Sequence, residues 1–247
     1  YKKTKLSLLK RAKKAFKSED IDEAIIKDVS LSIAGEYNRL NAKLAAAMAK
    51  ELKVPDEVIK EGLEAVKHIP GRMQVVYDEE FMAIVDFAHT PHGLETALAS
   101  AREYVKKDGR LIVVFGSAGE RDQEKRPIMG TAASEYADIA VVTAEDPRSE
   151  SVEKITDEIV SGMDETKMVL NETLFRIHDR TEAITFAITK LAQPGDVIMV
   201  TGKGPEASMN FDGVEHEWDE VGVVEEALEK HICHSELDSE SSIVPES

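Results

Sequence analysis

The 247 residues carry 31 basic and 48 acidic side chains, a net charge of −17, with 42% hydrophobic and only 5% aromatic content. Such a chain is globular and aliphatic, long enough for one large domain or one and a half ordinary ones, and too acidic for a nucleic-acid partner. No apolar run approaches the roughly 18 residues of a membrane span, and the single Cys233 excludes an internal disulfide and any multi-cysteine metal site, so a cytoplasmic chain with no membrane partner is expected.

Residues 1–17 hold eight Lys or Arg and no acid, and 1–34 read as a polar helical segment with no assignable chemistry. From Gly35 the spacing predicts a helix with Leu40, Leu44, Ala47 and Met48 on one face and Asn38 and Asn41 on a neighbouring stripe. Asn38 is there either a helix cap or a ligand contact. Val54-Pro55-Asp56 breaks that helix, and a second ends near His68. After Pro70-Gly71 the period turns strand-like: strands are expected over 73–77 and 81–87, with a helix behind Pro91. Leu111–Phe115, apolar without alternation, reads as a strand buried on both faces. A helix over 127–136, a strand over 139–143, a helix from Val152, a helix over 181–192 and a buried strand over 197–201 follow. Phe211-Asp212-Gly213-Val214 reads as a hairpin, 218–230 as a closing helix, and the acidic, serine-rich stretch from 231 as disordered. Alternation of strands and helices defines an α/β fold with a doubly wound, mostly parallel, Rossmann-like sheet.

In such sheets ligands collect beyond the carboxyl ends of the strands. The strand ends at Asp86, Gly116 and Gly202, with the loop after Thr143, would bring Asp86, His89, Arg121, Asp146, Arg148, Lys203 and Glu206 to one crevice. Guanidinium forks suit carboxylates and phosphates, and acids suit an ammonium, so the set fits an amino acid. The sequence contains no GxxxxGK[ST] phosphate loop and no GxGxxG fingerprint.

The segments GEYNRLNAKLAAA, PGRMQ, VDFAHTPHGLETAL, VVFGSAGERDQEKRPIMG, ADIAVVTAEDPRSE and VTGKGPE, in this order, resemble the C-terminal half of a Mur ligase of the MurE type. That resemblance implies a helical C-terminal part of the central ATPase domain over 1–70, the amino-acid-binding C-terminal domain over 71–230, and a tail over 231–247. It implies an ATP-dependent ligase of peptidoglycan precursor synthesis that adds meso-diaminopimelate or lysine to UDP-MurNAc-L-Ala-D-Glu through an acyl phosphate. ATP and Mg2+ are the implied cofactors, bound mainly by a central domain whose phosphate loop this sequence lacks. By the same resemblance, Arg121, Glu145, Asp146, Pro147, Arg148, Gly202 and Glu206 bind the amino acid, Arg148 gripping a distal carboxylate and Glu206 a distal ammonium. Asn38, Asn41, Arg72, Asp86 and His89 lie along ATP, with His89 either structural or catalytic. No residue of the chain is assigned as catalytic or as a metal ligand.

Departures from the family pattern also matter. Glu145-Asp146 replaces the usual Asp-Asn, placing an extra acid beside Arg148, and Pro205 replaces a histidine. His92 stands where aspartate is common and Gln74 where glutamate is common. The alternatives are a non-catalytic binding remnant of a Mur ligase or a folylpolyglutamate-type ligase with another substrate.

Overall fold

The computed structural model describes residues 2–17, 21–33 and 35–241. They fall into two compact units that meet in sequence between His68 and Ile69. Among the described residues no helix is long and apolar enough to cross a membrane.

The first unit holds α1 (Lys2–Arg11), a short 3-10 turn at Glu23–Ile26, α2 (Glu36–Glu51) and α3 (Asp56–Ala65). Helix was expected throughout 1–34, but it stops at Arg11; residues 1, 18–20 and 34 lie outside the described residues. The buried face of α2 also differs from the expected one. Ala42, Ala46 and Ala47 are buried while Met48 is exposed, because small side chains let Ile26 and Ile59 pack directly on Ala46. Lys43, buried on the same face, reaches Glu23 at 2.9 Å.

The second unit is built on a six-stranded sheet in the order β1-β2-β6-β3-β4-β5. Its strands are β1 (Gln74–Asp78), β2 (Met82–Asp86), β3 (Leu111–Phe115), β4 (Ile139–Val142), β5 (Leu174–Arg176) and β6 (Val197–Thr201). Only β1 is antiparallel to its neighbour; β2, β6, β3, β4 and β5 run parallel. The expected mostly parallel α/β sheet is thus the fold found. Two elements differ in detail. β5 was not expected, since it is only three residues long and ends in a charged one, and the helix expected over 181–192 is α7 (Arg180–Phe186) followed by a wide π turn at Ala187–Leu191.

All five residues of β3 are buried, each side chain contributing about 1.5–3 kcal/mol of transfer free energy. On one face Ile112, Val114, Ile198 and Val200 pack against α7 and against α8 (Glu220–Ser241). Across the sheet lie α4 (Pro91–Arg102), α5 (Lys125–Tyr136) and α6 (Val152–Val160), with Leu94, Leu98, Met129 and Ile159 buried beneath them. The hairpin β7 (Ser208–Phe211) and β8 (Val214–Glu217) turns through Asp212 and Gly213, both at positive φ, as the Asp-Gly pair leads one to expect. Residues 231–241, expected to be disordered, continue α8: neither glycine nor proline interrupts EALEKHICHSELDSES. Residues 242–247 lie outside the described residues.

The chain leaves β3 toward β4 and leaves β6 toward the hairpin and α8, so the two central neighbours diverge at their carboxyl ends and open a crevice there. At the opposite edge Asp196 locks the same two strands together. Its carboxylate accepts from the Arg110 backbone N–H at 2.7 Å, from Arg110 Nη2 at 2.6 Å and from the Gln193 N–H at 3.0 Å. Asp196→Ala removes the acceptor of two main-chain N–H groups and of the Arg110 guanidinium, and urea unfolding is expected to register a loss of about 3 kcal/mol.

Candidate amino-acid-binding site at the carboxyl edge of the sheet

A buried ion pair lies under the crevice. Arg180 is 2% exposed. Its Nε donates to Glu220 Oε2 at 2.9 Å, Nη1 to the Ala144 carbonyl at 3.0 Å and Nη2 to the Thr201 carbonyl at 2.8 Å. Trp218 Nε1 donates to the same Glu220 oxygen at 2.8 Å. Burial opposes the guanidinium charge, but the nearby carboxylates, Glu220 foremost and then Glu145 and Asp146, together raise the pKa of Arg180. One side chain therefore fixes both loops that leave β4 and β6. Sequence reasoning missed this pair. The available signal was an arginine at the first position of a helix, where the dipole disfavours a cation unless an acid meets it.

A second buried guanidinium fastens the loop after β3 to the loop after β4. Arg126, 0% exposed, donates through Nη1 to Glu150 at 3.0 Å and Glu158 at 2.5 Å, and through Nη2 to the Ala118 carbonyl at 3.0 Å. Hydrogen bonding to Arg126, then to the Glu120 N–H, lowers the Glu150 pKa to about 2. Gly119 is pressed onto the neighbouring loop: its N–H donates to the Asp146 carbonyl at 2.7 Å, and a Cβ there would sit 1.9 Å from the Pro147 oxygen. The loops carrying Arg121 and Arg148 consequently lie side by side. Arg121 is exposed, whereas Arg148 is half-buried with a buried Nε that has no hydrogen-bond partner. Main-chain bonds hold Arg148 on the hairpin, its N–H donating to Asn210 O at 3.0 Å and its carbonyl accepting from Asp212 N–H at 2.7 Å.

The acids divide by partner. Lys203, 1% exposed, donates to Asp146 Oδ1 at 2.8 Å and to Glu206 Oε2 at 2.7 Å. Asp146 Oδ1 also accepts from the Asn210 N–H at 3.0 Å. Glu145 is 5% exposed, lies against Gly202, and its buried Oε2 has no hydrogen-bond partner. Burial pushes its pKa up to about 7, against the opposing charges of Lys125, Arg180 and Lys203 and with that of Asp146. Ser117 Oγ and Thr201 Oγ1, at the ends of β3 and β6, are likewise buried without a hydrogen-bond partner. Together with Arg148 Nε and Glu145 Oε2, that makes four buried polar atoms at this sheet edge without a hydrogen-bond partner.

Of the residues expected along ATP, Asp86 is buried and clamps the main chain: its oxygens accept from Met73 N–H and Ala88 N–H, each at 2.8 Å. Arg72 stacks on the Phe87 ring, its guanidinium carbon 4.5 Å from the centroid, and His89 packs edge-on against the same ring. His89 Nδ1 meets the Phe87 carbonyl at 2.9 Å, and the His89 carbonyl accepts from Lys125 Nζ at 2.7 Å. Gly71 and Gly204 touch so closely that a Cβ on Gly71 would lie 2.4 Å from the Gly204 carbonyl carbon. The two asparagines belong to the first unit. Asn38 is buried within α2 and is not its cap, since Gly35 holds that position, and Asn41 is exposed.

The second unit is a mostly parallel α/β domain whose strand-end loops carry arginines and acids. Residues 71–204 match the Mur ligase, glutamate ligase domain, and the chain belongs to that family. It is 38% identical over 201 residues to the UDP-N-acetylmuramoyl-L-alanyl-D-glutamate–2,6-diaminopimelate ligase of Aquifex aeolicus, covering 81% of this chain and 40% of that protein. The enzyme of the same name from Syntrophomonas wolfei is 41% identical over 179 residues, covering 72% of this chain and 35% of its own length. A solved structure of a ligase with that name superposes with a TM-score of 0.62 at 34% identity, covering 83% of this chain and 40% of the other. The fold is shared with a UDP-N-acetylmuramate-alanine ligase from Thermotoga maritima, at TM-score 0.57 and 18% identity, over 83% of this chain and 40% of that one. The chain spans about 40% of the length of the Aquifex relative and corresponds to the C-terminal portion of such ligases.

Two titrations follow. The folded protein holds the Glu145 proton more tightly than the unfolded chain, so this group lowers stability as pH rises from about 4.5 to 7. Glu145→Gln is expected to raise the unfolding free energy by about 2–3 kcal/mol at pH 8.5 and to change little below pH 4.5. Glu150 behaves oppositely: its stabilisation is present above pH 4.5 and disappears as pH falls toward about 2. Glu150→Gln is expected to cost about 2–3 kcal/mol at pH 7, converging with the parent in acid, as read by denaturant unfolding across pH.

Proposed function

We propose that this chain is the amino-acid-binding portion of an ATP-dependent ligase that joins meso-diaminopimelate to UDP-MurNAc-L-Ala-D-Glu in cytoplasmic peptidoglycan precursor synthesis. The observation that carries the reading is Arg148, held by its main chain while its Nε is left for a ligand. A guanidinium so placed suits a carboxylate, and diaminopimelate has a distal carboxylate that lysine lacks. The extra acid of the Glu-Asp-Pro-Arg loop does not oppose this, because Lys203 and the Asn210 N–H neutralise Asp146.

In this reading Arg121, exposed on the adjoining loop, takes the carboxylate beside the reacting amine. The loops hold the amino acid so that its nitrogen meets the activated glutamate carbon in a nearly intramolecular approach. ATP supplies the phosphoryl group that activates the glutamate carboxylate, with Mg2+ as its companion. Arg72, braced on Phe87, suits a phosphate, and His89 supports that ring. Asp86 acts through the turn it clamps, since both of its oxygens already accept from main-chain N–H groups. Gly202 lies close against the Glu145 side chain, and Pro147 directly precedes Arg148. Asn38 and Asn41 are assigned by the family resemblance to the nucleotide.

Calorimetry tests the reading. Arg148→Ala is expected to weaken meso-diaminopimelate binding about 30-fold, about 2 kcal/mol, and to leave lysine binding within about threefold. Equal affinities of parent and variant for diaminopimelate would remove Arg148 from the site.

A further inference from the structure

Arg148 has a backbone conformation uncommon for a residue with a long side chain. Its φ of 55° lies in the left-handed region, sparsely populated by residues other than glycine, asparagine and aspartate, so its aim depends on what holds the chain around it. That hold is the β7–β8 hairpin. The Arg148 N–H donates to Asn210 O at 3.0 Å, its carbonyl accepts from the Asp212 N–H at 2.7 Å, and Arg148 pairs in parallel with Phe211.

The hairpin has little burial of its own to rely on. All four residues of β8 are exposed, and a Cβ on Gly213 at the tip would meet nothing within 4 Å. Within the two strands only Met209 and Asn210 are buried. A two-stranded ribbon is marginal in water unless something else fixes it. Met209 supplies the apolar burial, and Asn210, 6% exposed, supplies the polar bonds. Its Oδ1 accepts from the Gly213 N–H at 3.1 Å, and its Nδ2 donates at 2.7 Å to Oε1 of Glu215, its partner across the ribbon. Hydrogen bonds from Asn210, then from Ser208, hold the Glu215 carboxyl below its usual range, so the amide meets an ionised acceptor. One side chain therefore ties the turn to both strands, while the main chain of the same residue bonds Arg148 and, through its N–H at 3.0 Å, Asp146 Oδ1.

We infer that the Asn210 side chain is a positioning residue for Arg148: by closing the hairpin turn and pinning β8, it fixes the register in which the ribbon presents the Arg148 guanidinium to a ligand carboxylate. The inference rests on the amino-acid-binding reading above and adds to it a residue that touches no ligand. Asp146 has a second hold, Lys203 at 2.8 Å, so loosening the ribbon bears on Arg148 and spares Asp146.

Calorimetry on the full chain compares meso-diaminopimelate with lysine, which is the same molecule without the distal carboxylate. Asn210→Ala is expected to weaken diaminopimelate binding about tenfold and to leave lysine binding within about threefold. In an Arg148→Ala background the same substitution is expected to change diaminopimelate affinity by less than about twofold, because the two residues act as one unit. Asn210→Asp sets two carboxylates face to face and is expected to weaken diaminopimelate binding at least about tenfold. Adding Glu215→Gln to it reverses donor and acceptor across the ribbon, keeps an acceptor for the Gly213 N–H, and is expected to restore affinity to within about threefold of the parent. A merely structural role would weaken both ligands alike and would add to the effect of Arg148→Ala. Either of those results, unchanged diaminopimelate affinity in Asn210→Ala, or no rescue by the exchanged pair would overturn the inference and leave the functional reading standing. Failure of Arg148→Ala to weaken diaminopimelate binding, or of the parent to bind either amino acid, would instead overturn the functional reading and the inference together.

Discussion

The loops at the carboxyl edge of the sheet are held from below by a buried guanidinium. Arg180 sits below the crevice, paired with Glu220 and bonded to the carbonyls of Ala144 and Thr201. It ties the loop after β4 to the end of β6, alongside the bridge that Lys203 makes between Asp146 and Glu206. A planar donor fork can hold two carbonyls and a carboxylate in fixed directions at once, which an ammonium cannot. The cost of burying the charge is offset by Glu220, itself oriented by Trp218. The pair therefore stabilises the chain less than its distances suggest, and acts chiefly by fixing geometry.

Arg126 repeats the device on the other side of the crevice, where Glu150, Glu158 and the Ala118 carbonyl converge on it. Between these two fixed points hang the segments 116–121 and 144–148. The site is thus pre-organised by buried arginines and presents further arginines outward, and the two sets are distinguished by burial rather than by sequence context.

The sheet was legible because its central strands carry unbroken aliphatic runs and its turns carry Pro-Gly, Asp-Gly and Pro-Gly-Asp signals. β5 was not, since a three-residue edge strand leaves no periodic trace, and the buried face of α2 was misread because alanines and a paired lysine replaced the expected leucines. The candidate loops were legible as motifs and as strand ends. What they do individually was not. Nothing in the text of the chain says that Asp86 accepts from two main-chain N–H groups, or that Lys203 bonds Asp146 and Glu206 while Glu145 Oε2 is left without a hydrogen-bond partner. Such assignments depend on which of several like-charged groups comes nearest, a matter of ångströms settled by packing of distant segments.

The way Arg148 is mounted bears on how such a pocket changes over evolutionary time. Its attachment to the hairpin runs wholly through the peptide backbone, from its N–H to Asn210 and from its carbonyl to Asp212, so the mounting survives whatever side chain the position bears. The left-handed backbone there, with φ of 55°, narrows the usable alphabet to glycine and unbranched residues, asparagine foremost, and disfavours valine, isoleucine and threonine. On the proposed role of Arg148, a lineage could therefore trade one substrate for another by a single codon at this socket while the surrounding scaffold stays unaltered, provided the replacement comes from that short set.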